Sequence, residues 1–369
     1  MTKSLEHLRL KNRWPIFAVA GVVLVALVAF FAKPLWHRDN PLLTTPKLAL
    51  EALSAKVLYY NEPAGVWLTK LRPELLTEAD KNDPAISHSF AQAVEDPKLF
   101  RQLDRQNHFD TLLLVGNPSQ YHPLLEHLLE TKDWTLTYLD HTSLIFKRGA
   151  EEPWTEAKFA PVRAHFAQAP AREQAMFLSD TAMKLLAVQN VALGKKLAEE
   201  AQKLDPKLPN PASALAQYHL DHGEWDPAIA DADRALELDS EYPPALAAKA
   251  QALYASKHFS DAYHVSDKLI EKIPDDPGLL FYHAKICHEA RAFGEEIKAL
   301  EKLIAMAEAN HRATSGYNVY LGQAYARSGQ GEPALKAYAE ALSDPDLPKD
   351  QRQEVEKAFD TVRSHMGKN

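Results

Sequence analysis

The sequence predicts a mainly α protein: a solenoid of helical hairpins, preceded by a transmembrane helix and a small α/β domain. Three observations predict it. A pattern of small residues returns every 34 positions through the C-terminal half, at Ala182, Ala216, Ala250, Ala284 and, after a longer step of 38, Gly322. Near the N-terminus, Ile16 to Ala32 is a run of 17 residues without a charged or polar side chain. Between the two, residues 47–149 change period, with short apolar runs bounded by turn residues.

Residues 1–13 form a basic leader, with Lys3, Arg9, Lys11 and Arg13 against the single acid Glu6. Residues 14–36 hold the apolar run with Trp14 and Trp36 at its rims, close to the ~20 residues that cross a bilayer. A cleaved secretory signal is the competing reading, but Phe30-Phe31-Ala32 lacks the small-x-small pattern of a cleavage site. Positive charge before the run predicts a cytoplasmic N-terminus and an extracytoplasmic remainder. In a bacterium that places the chain in the inner membrane with its bulk in the periplasm. Residues 37–46, from His37 through Pro41 to Pro46, read as a linker.

In 47–149, Lys47–Ser54 predicts a short helix, followed by an extended run from Val57 to Tyr60. Pro73, Pro84 and Pro97 are expected to break the middle into short helices and loops. Thr111–Val115 is a strand ending at the turn signal Gly116-Asn117-Pro118, and Leu124–Leu129 is a helix. Trp134–Leu139 and Ser143–Phe146 read as a hairpin turning at Asp140-His141-Thr142. Residues 150–174 carry a helix over Thr155–Gln168 that covers the first repeat, and 347–369 supply the matching helix at the far end, over Asp350–His365.

Residues 175–346 hold about five repeats. Leu321-Gly322, Tyr325, Gly329, Ala334, Tyr338 and Ala341 fall in order on one repeat pattern, and Trp225, Phe259 and Phe293 precede second helices. On these residues the chain resembles the tetratricopeptide repeat (TPR) family across nearly half its length. The resemblance implies pairs of antiparallel helices, small residues where backbones approach, and a groove lined by the first helix of each pair. Glu296 stands where Ala is expected, and four extra residues in 305–312 predict a lengthened second helix in the fourth copy. A weaker likeness, over Phe109–Leu114, Trp134–Asp140 and Ser143–Arg148, is to the soluble α/β module of bacterial glycosyltransferase-like membrane proteins.

Few residues in the sequence point to chemistry. The net charge of −8 argues against a general nucleic-acid binder. Cys287 is the single cysteine, so no intrachain disulfide forms, and its position reads as a small core hydrophobe. Among 16 histidines, His122 and His127 are five apart, which misses the i, i+4 spacing of two helical ligands. No phosphate-binding or nucleophile motif is present, so no catalytic residue, metal site or cofactor is expected.

With copies starting at Ala175, Pro209, Pro243, Pro277 and Ser315, the ninth positions read Met183, Gln217, Gln251, Lys285 and Gln323. Neighbouring inward positions add Asn210, Ser213, Tyr254, Phe281, His288 and Arg327. Amides and aromatics suit an extended peptide, with Gln bonding its backbone and rings taking its side chains. The expectation is a non-enzymatic, membrane-anchored adaptor that binds a protein partner through this face. The alternative is a glycan- or lipid-linked-sugar-processing accessory acting through a polar pocket near Tyr59, Asp110 and Asp140. A mitochondrial import-type receptor is a third reading.

Overall fold

The structure, a computed structural model, describes residues 49, 52–53, 58–72, 75, 93–94, 96–116, 118–309, 313–345 and 347–366. The leader, the expected transmembrane segment 14–36 and the linker 37–46 lie outside the described residues. Among the described residues no helix is long and apolar enough to cross a membrane. The chain divides into two compact units, one ending at Ala252 and the other beginning at Leu253.

The unit ending at Ala252 opens with β1 (Leu58–Tyr60), α1 (Glu62–Leu71), α2 (Pro97–Asn107), β2 (Thr111–Val115), α3 (His122–Glu130), β3 (Trp134–Leu139) and β4 (Ser143–Arg148). The strands form one sheet in the order β1-β2-β4-β3. β1 runs parallel to β2, with Tyr59 opposite Leu112. β2–β4 and β3–β4 are antiparallel, with an irregularity in register between Leu136 and Tyr138. β2 is buried at all five positions, which is why it reads as an unbroken apolar run. The Asn61 side chain ties β1 to β2: Nδ2 donates to the Val115 carbonyl at 2.7 Å and Oδ1 accepts from its N–H at 3.0 Å.

The expected strands and the helix at Leu124–Leu129 are present, and Pro97 bounds a short helix. It opens α2, where its missing N–H is no loss, and the Asp96 carboxylate accepts from Lys98 N–H at 2.8 Å.

The same unit continues through α4 (Glu156–Phe166), α5 (Ala171–Ala187), α6 (Val191–Leu204), α7 (Pro209–Asp221), α8 (Trp225–Leu238) and most of α9 (Pro243–Ala255). α5 packs with α6, and α7 with α8. α4 lies where a capping helix is expected, with Phe166 stacked on Phe177 of α5 at 4.2 Å. α5 starts at Ala171, four residues before the frame read from the repeats, so the first copy is lengthened where it meets these aromatics. One buried core runs from Tyr59, Leu113 and Ile145 in the sheet through Phe177 to Leu197 and Leu215.

The second unit contains α10 (Phe259–Lys272), α11 (Pro277–Ala290), α12 (Phe293–Ala309), α13 (Ser315–Arg327), α14 (Gly331–Ser343) and α15 (Lys349–Met366). α11 pairs with α12, α13 with α14, and α15 packs on α14. α12 has 17 residues against 14 in α10, which is the lengthening expected from the extra residues. Gly322 marks the closest approach in the last pair: a Cβ there would meet the Tyr338 ring at 2.5 Å. Val355 and Ala358 of α15 are buried, with Phe359 and Val362 beside them.

The five turns between first and second helices share one device. Gln189, Gly223, Lys257, Arg291 and Gly329 have φ of 62°, 70°, 66°, 62° and 82°. They recur at the intervals of the small residues, and each ends its first helix with one left-handed residue.

Candidate partner-binding face

In the unit ending at Ala252, the first helices α5, α7 and α9 carry the amides singled out in the sequence. Pro209 and Pro243 open α7 and α9, fixing the frame in which these residues fall. Asn210 is half-buried and its side chain bonds the Asp180 carboxyl. Gln217 Nε2 donates to Asp221 Oδ1 at 2.7 Å, while its Oε1 has no partner. Ser213 is buried with its hydroxyl unpartnered. Gln251 is 3% exposed, and neither its Oε1 nor its Nε2 has a partner. A buried primary amide with both ends unsatisfied costs of the order of 2 kcal/mol or more.

A polar cluster that sequence reasoning missed lies in the same unit. Lys184 of α5 is 4% exposed, and its Nζ donates to the His141 carbonyl at 2.7 Å. Burial pushes its pKa down to about 8, against the pull of Asp180 and Asp140. Burial pushes Asp180 up to about 6, with Lys184 and Asn210 opposing. The His141 ring lies edge-on to Phe166 at 5.2 Å and Phe177 at 5.1 Å. The β3–β4 turn is thereby pinned to the first hairpin.

A signal was present in the register. The positions 34, 68 and 102 beyond Asp180 are Ala214, Ala248 and Tyr282, and two of the three such positions beyond Lys184 are Ala252 and Ile286. Two charges where later copies place mostly small or apolar groups imply a special environment.

The region expected to hold a polar pocket is a filled core. Tyr59 is fully buried, edge-on to Phe100 at 5.2 Å and Phe109 at 5.4 Å. Asp140 is also fully buried. Its Oδ1 accepts from Thr142 N–H, Ser143 N–H and Thr142 Oγ1 at 2.7, 2.7 and 2.8 Å, and its Oδ2 accepts from Tyr138 Oη at 2.8 Å. These bonds build a turn, as expected of Asp in a hairpin. The glycan-processing alternative loses the site it required. His122 pairs with Glu126 at 3.2 Å, and among the described residues no group of three metal-capable side chains exists.

In the second unit, Asp276 caps α11 by accepting from Leu279 N–H at 2.7 Å, and Pro277 opens it. This sets Phe281, Lys285 and His288 one turn apart. Phe281 is half-buried and edge-on to Tyr317 at 5.7 Å and Tyr320 at 5.3 Å. Lys285 is half-buried, and burial lowers its ammonium pKa with Glu289 opposing. Tyr254 lies edge-on to both Phe259 and Tyr282 at 5.6 Å. Gln323 is half-buried on α13.

His288 Nδ1 lies 2.8 Å from Glu296 Oε1, and its Nε2 meets the guanidinium of Arg327, which also lies 5.2 Å over the Phe293 ring. The tautomer that serves both partners carries its proton on Nδ1 and accepts from Arg327 on Nε2. Glu296 thus occupies a buried position meant for Ala because His288 bonds one of its oxygens. Cys287 is fully buried, 3.3 Å from His283 Nε2, whose Nδ1 lies 2.9 Å from Ser266 Oγ. Burial pushes the thiol up and His283 down to about 4. This trio is core.

No family model matches the sequence, and no curated protein matches it. Solved structures similar to this chain include two TPR proteins and MamA. YrrB, described as a TPR protein with an unusual peptide-binding site, is 14% identical, covers 53% of this chain and 95% of its own, and gives a TM-score of 0.44. MamA from Desulfovibrio magneticus RS-1 is 16% identical over 48% of this chain and 96% of its own, with a TM-score of 0.40. A thermophilic TPR protein of Thermus thermophilus, TTC0263, is 18% identical over 50% and 98%, with a TM-score of 0.34. At these values the likeness carries no argument, and the hairpin architecture rests on the helix pairs themselves.

Proposed function

We propose that the chain is a membrane-anchored scaffold that binds a protein or peptide partner through the first helices of its hairpins. In this reading the apolar run at 16–32 holds it in a bacterial inner membrane with its bulk in the periplasm. The observation that carries the binding half is chemical. In one unit these helices bear the half-buried amides Asn210 and Gln217. In the other they bear half-buried Phe281, Lys285 and Gln323. Amides bond a peptide's backbone, and rings or charges take its side chains, so each set suits an extended segment. The charge placement around residues 1–36 supports the anchoring half.

Two experiments test the reading. Affinity capture of the full chain from solubilised membranes should recover a partner that a Gln217→Ala/Lys285→Ala variant loses. Equal recovery by both chains would refute the face. For the topology, added protease should digest residues 37–369 in spheroplasts but not in intact cells. Protection in spheroplasts would place the bulk on the other side.

A further inference from the structure

The unit beginning at Leu253 carries a cleft that the partner-binding face does not use. It has a volume of about 440 Å³ and lies along α12, α13 and α14. Its floor is apolar, from Leu321, Ala337 and the Tyr325 ring, and the first two of these are buried. Its exposed lining is acidic, with Glu301, Glu332 and Glu340 against one ammonium, that of Lys336. Lys336 lies 3.9 Å from Glu340 and its side chain is exposed, so it offsets one carboxylate loosely. The Tyr325 hydroxyl donates to Glu301 Oε1 at 2.6 Å, which holds that carboxylate at the edge of the floor.

Glu301 and Glu340 stand on α12 and α14, the second helices of their pairs, whereas Lys285, Gln323 and Arg327 stand on the first helices α11 and α13. The acidic rim and the partner-binding residues therefore differ in charge and in helix, although the floor residues Leu321 and Tyr325 share α13 with Gln323. We propose that this cleft docks a basic segment of a second partner, in which Lys or Arg residues flank an apolar side chain. The apolar side chain covers Leu321 and Ala337, and the cations meet Glu301, Glu332 and Glu340. Charge complementarity selects this occupant, because an acidic or neutral segment would leave the three carboxylates facing like charge or none.

The test uses the full chain in detergent and a labelled peptide that alternates Lys, Leu and Arg, with a Glu-Leu-Glu counterpart as control. The basic peptide should bind and the acidic one should not. A Glu332→Lys/Glu340→Lys variant should weaken the basic peptide about tenfold, the effect of two or three exposed ion pairs lost and reversed, and should acquire affinity for the acidic peptide. Raising salt from about 50 to about 500 mM should erase the difference. Gln217→Ala/Lys285→Ala should leave basic-peptide binding unchanged, so the cleft and the partner-binding face stand or fall separately. Equal binding of both peptides, retention of the basic peptide by the reversed variant, or self-association of the chain that the reversal abolishes would each overturn the proposal, the last assigning the cleft to a second copy.

Discussion

The turn residues offer a reciprocal experiment. Gly329 has φ of 82° and a Cβ built on it meets nothing within 4 Å, so Gly329→Ala adds conformational strain without a clash. Holding an L-residue in the left-handed region costs about 1–2 kcal/mol, while Ala returns about 0.4–1 kcal/mol by restricting the unfolded chain. The net expectation is a loss of about 0.5–1 kcal/mol. Gly223→Ala behaves alike, since its Cβ meets the Trp225 ring at an ordinary 3.5 Å. Gln189, Lys257 and Arg291 carry the same strain as native residues, with φ of 62°, 66° and 62°. Changing each to Gly should therefore stabilise, by a few tenths to about 1 kcal/mol apiece. Urea unfolding of the full chain, followed by circular dichroism, measures both directions from the shift in midpoint. A neutral or stabilising Gly329→Ala, or a destabilising Lys257→Gly, would refute the view that these turns are defined by one left-handed residue.

Other expectations follow from the packing. Gly322→Ala drives a methyl into the Tyr338 ring at 2.5 Å and should cost about 1–3 kcal/mol in the same unfolding assay. Lys184→Met removes the donor to the His141 carbonyl and the counter-charge beside Asp180; a loss of about 3 kcal/mol is expected, as when a buried pair is broken from one side. The pH dependence separates this from simple packing loss. The Lys184 pKa lies near 8 when folded and about 10.4 when unfolded. Between those values the unfolded chain holds a proton the folded chain has released, so stability rises with pH. That rise should shrink in Lys184→Met, and melting curves at about pH 7.5 and about pH 10 would show it. Finally, Cys287 is fully buried and its thiol is pushed up, so a thiol reagent should label it only at the rate of unfolding; rapid labelling of the native chain would contradict its place in the core.

Much of the architecture was legible in the residues. Pro209, Pro243, Pro277 and Ser315 each open the helix expected of them, because proline at a first turn and a repeating interval are local signals. The strand positions were legible for the same reason, since a run such as Thr111–Val115 has few alternatives. Pro97 marked a boundary in the sequence, and the Asp96 cap shows that α2 starts there. Among the inward residues, the register placed Gln217 and Gln251 on the first helices but said nothing of burial, and Gln251 is enclosed where Gln217 is not.

What the sequence by itself determined is the interval, the order of helices and strands, and the spacing of the turns, all of which depend on neighbours a few residues apart. The tertiary structure alone decided which charges are enclosed. Lys184 meets a carbonyl 43 residues away, and Glu296 is tolerated because of a histidine on the preceding helix. It also decided that Tyr59 and Asp140 sit in a packed interior. The physical reason is that the cost of burying a polar group depends on the partner waiting for it, and partners are brought together only by the fold.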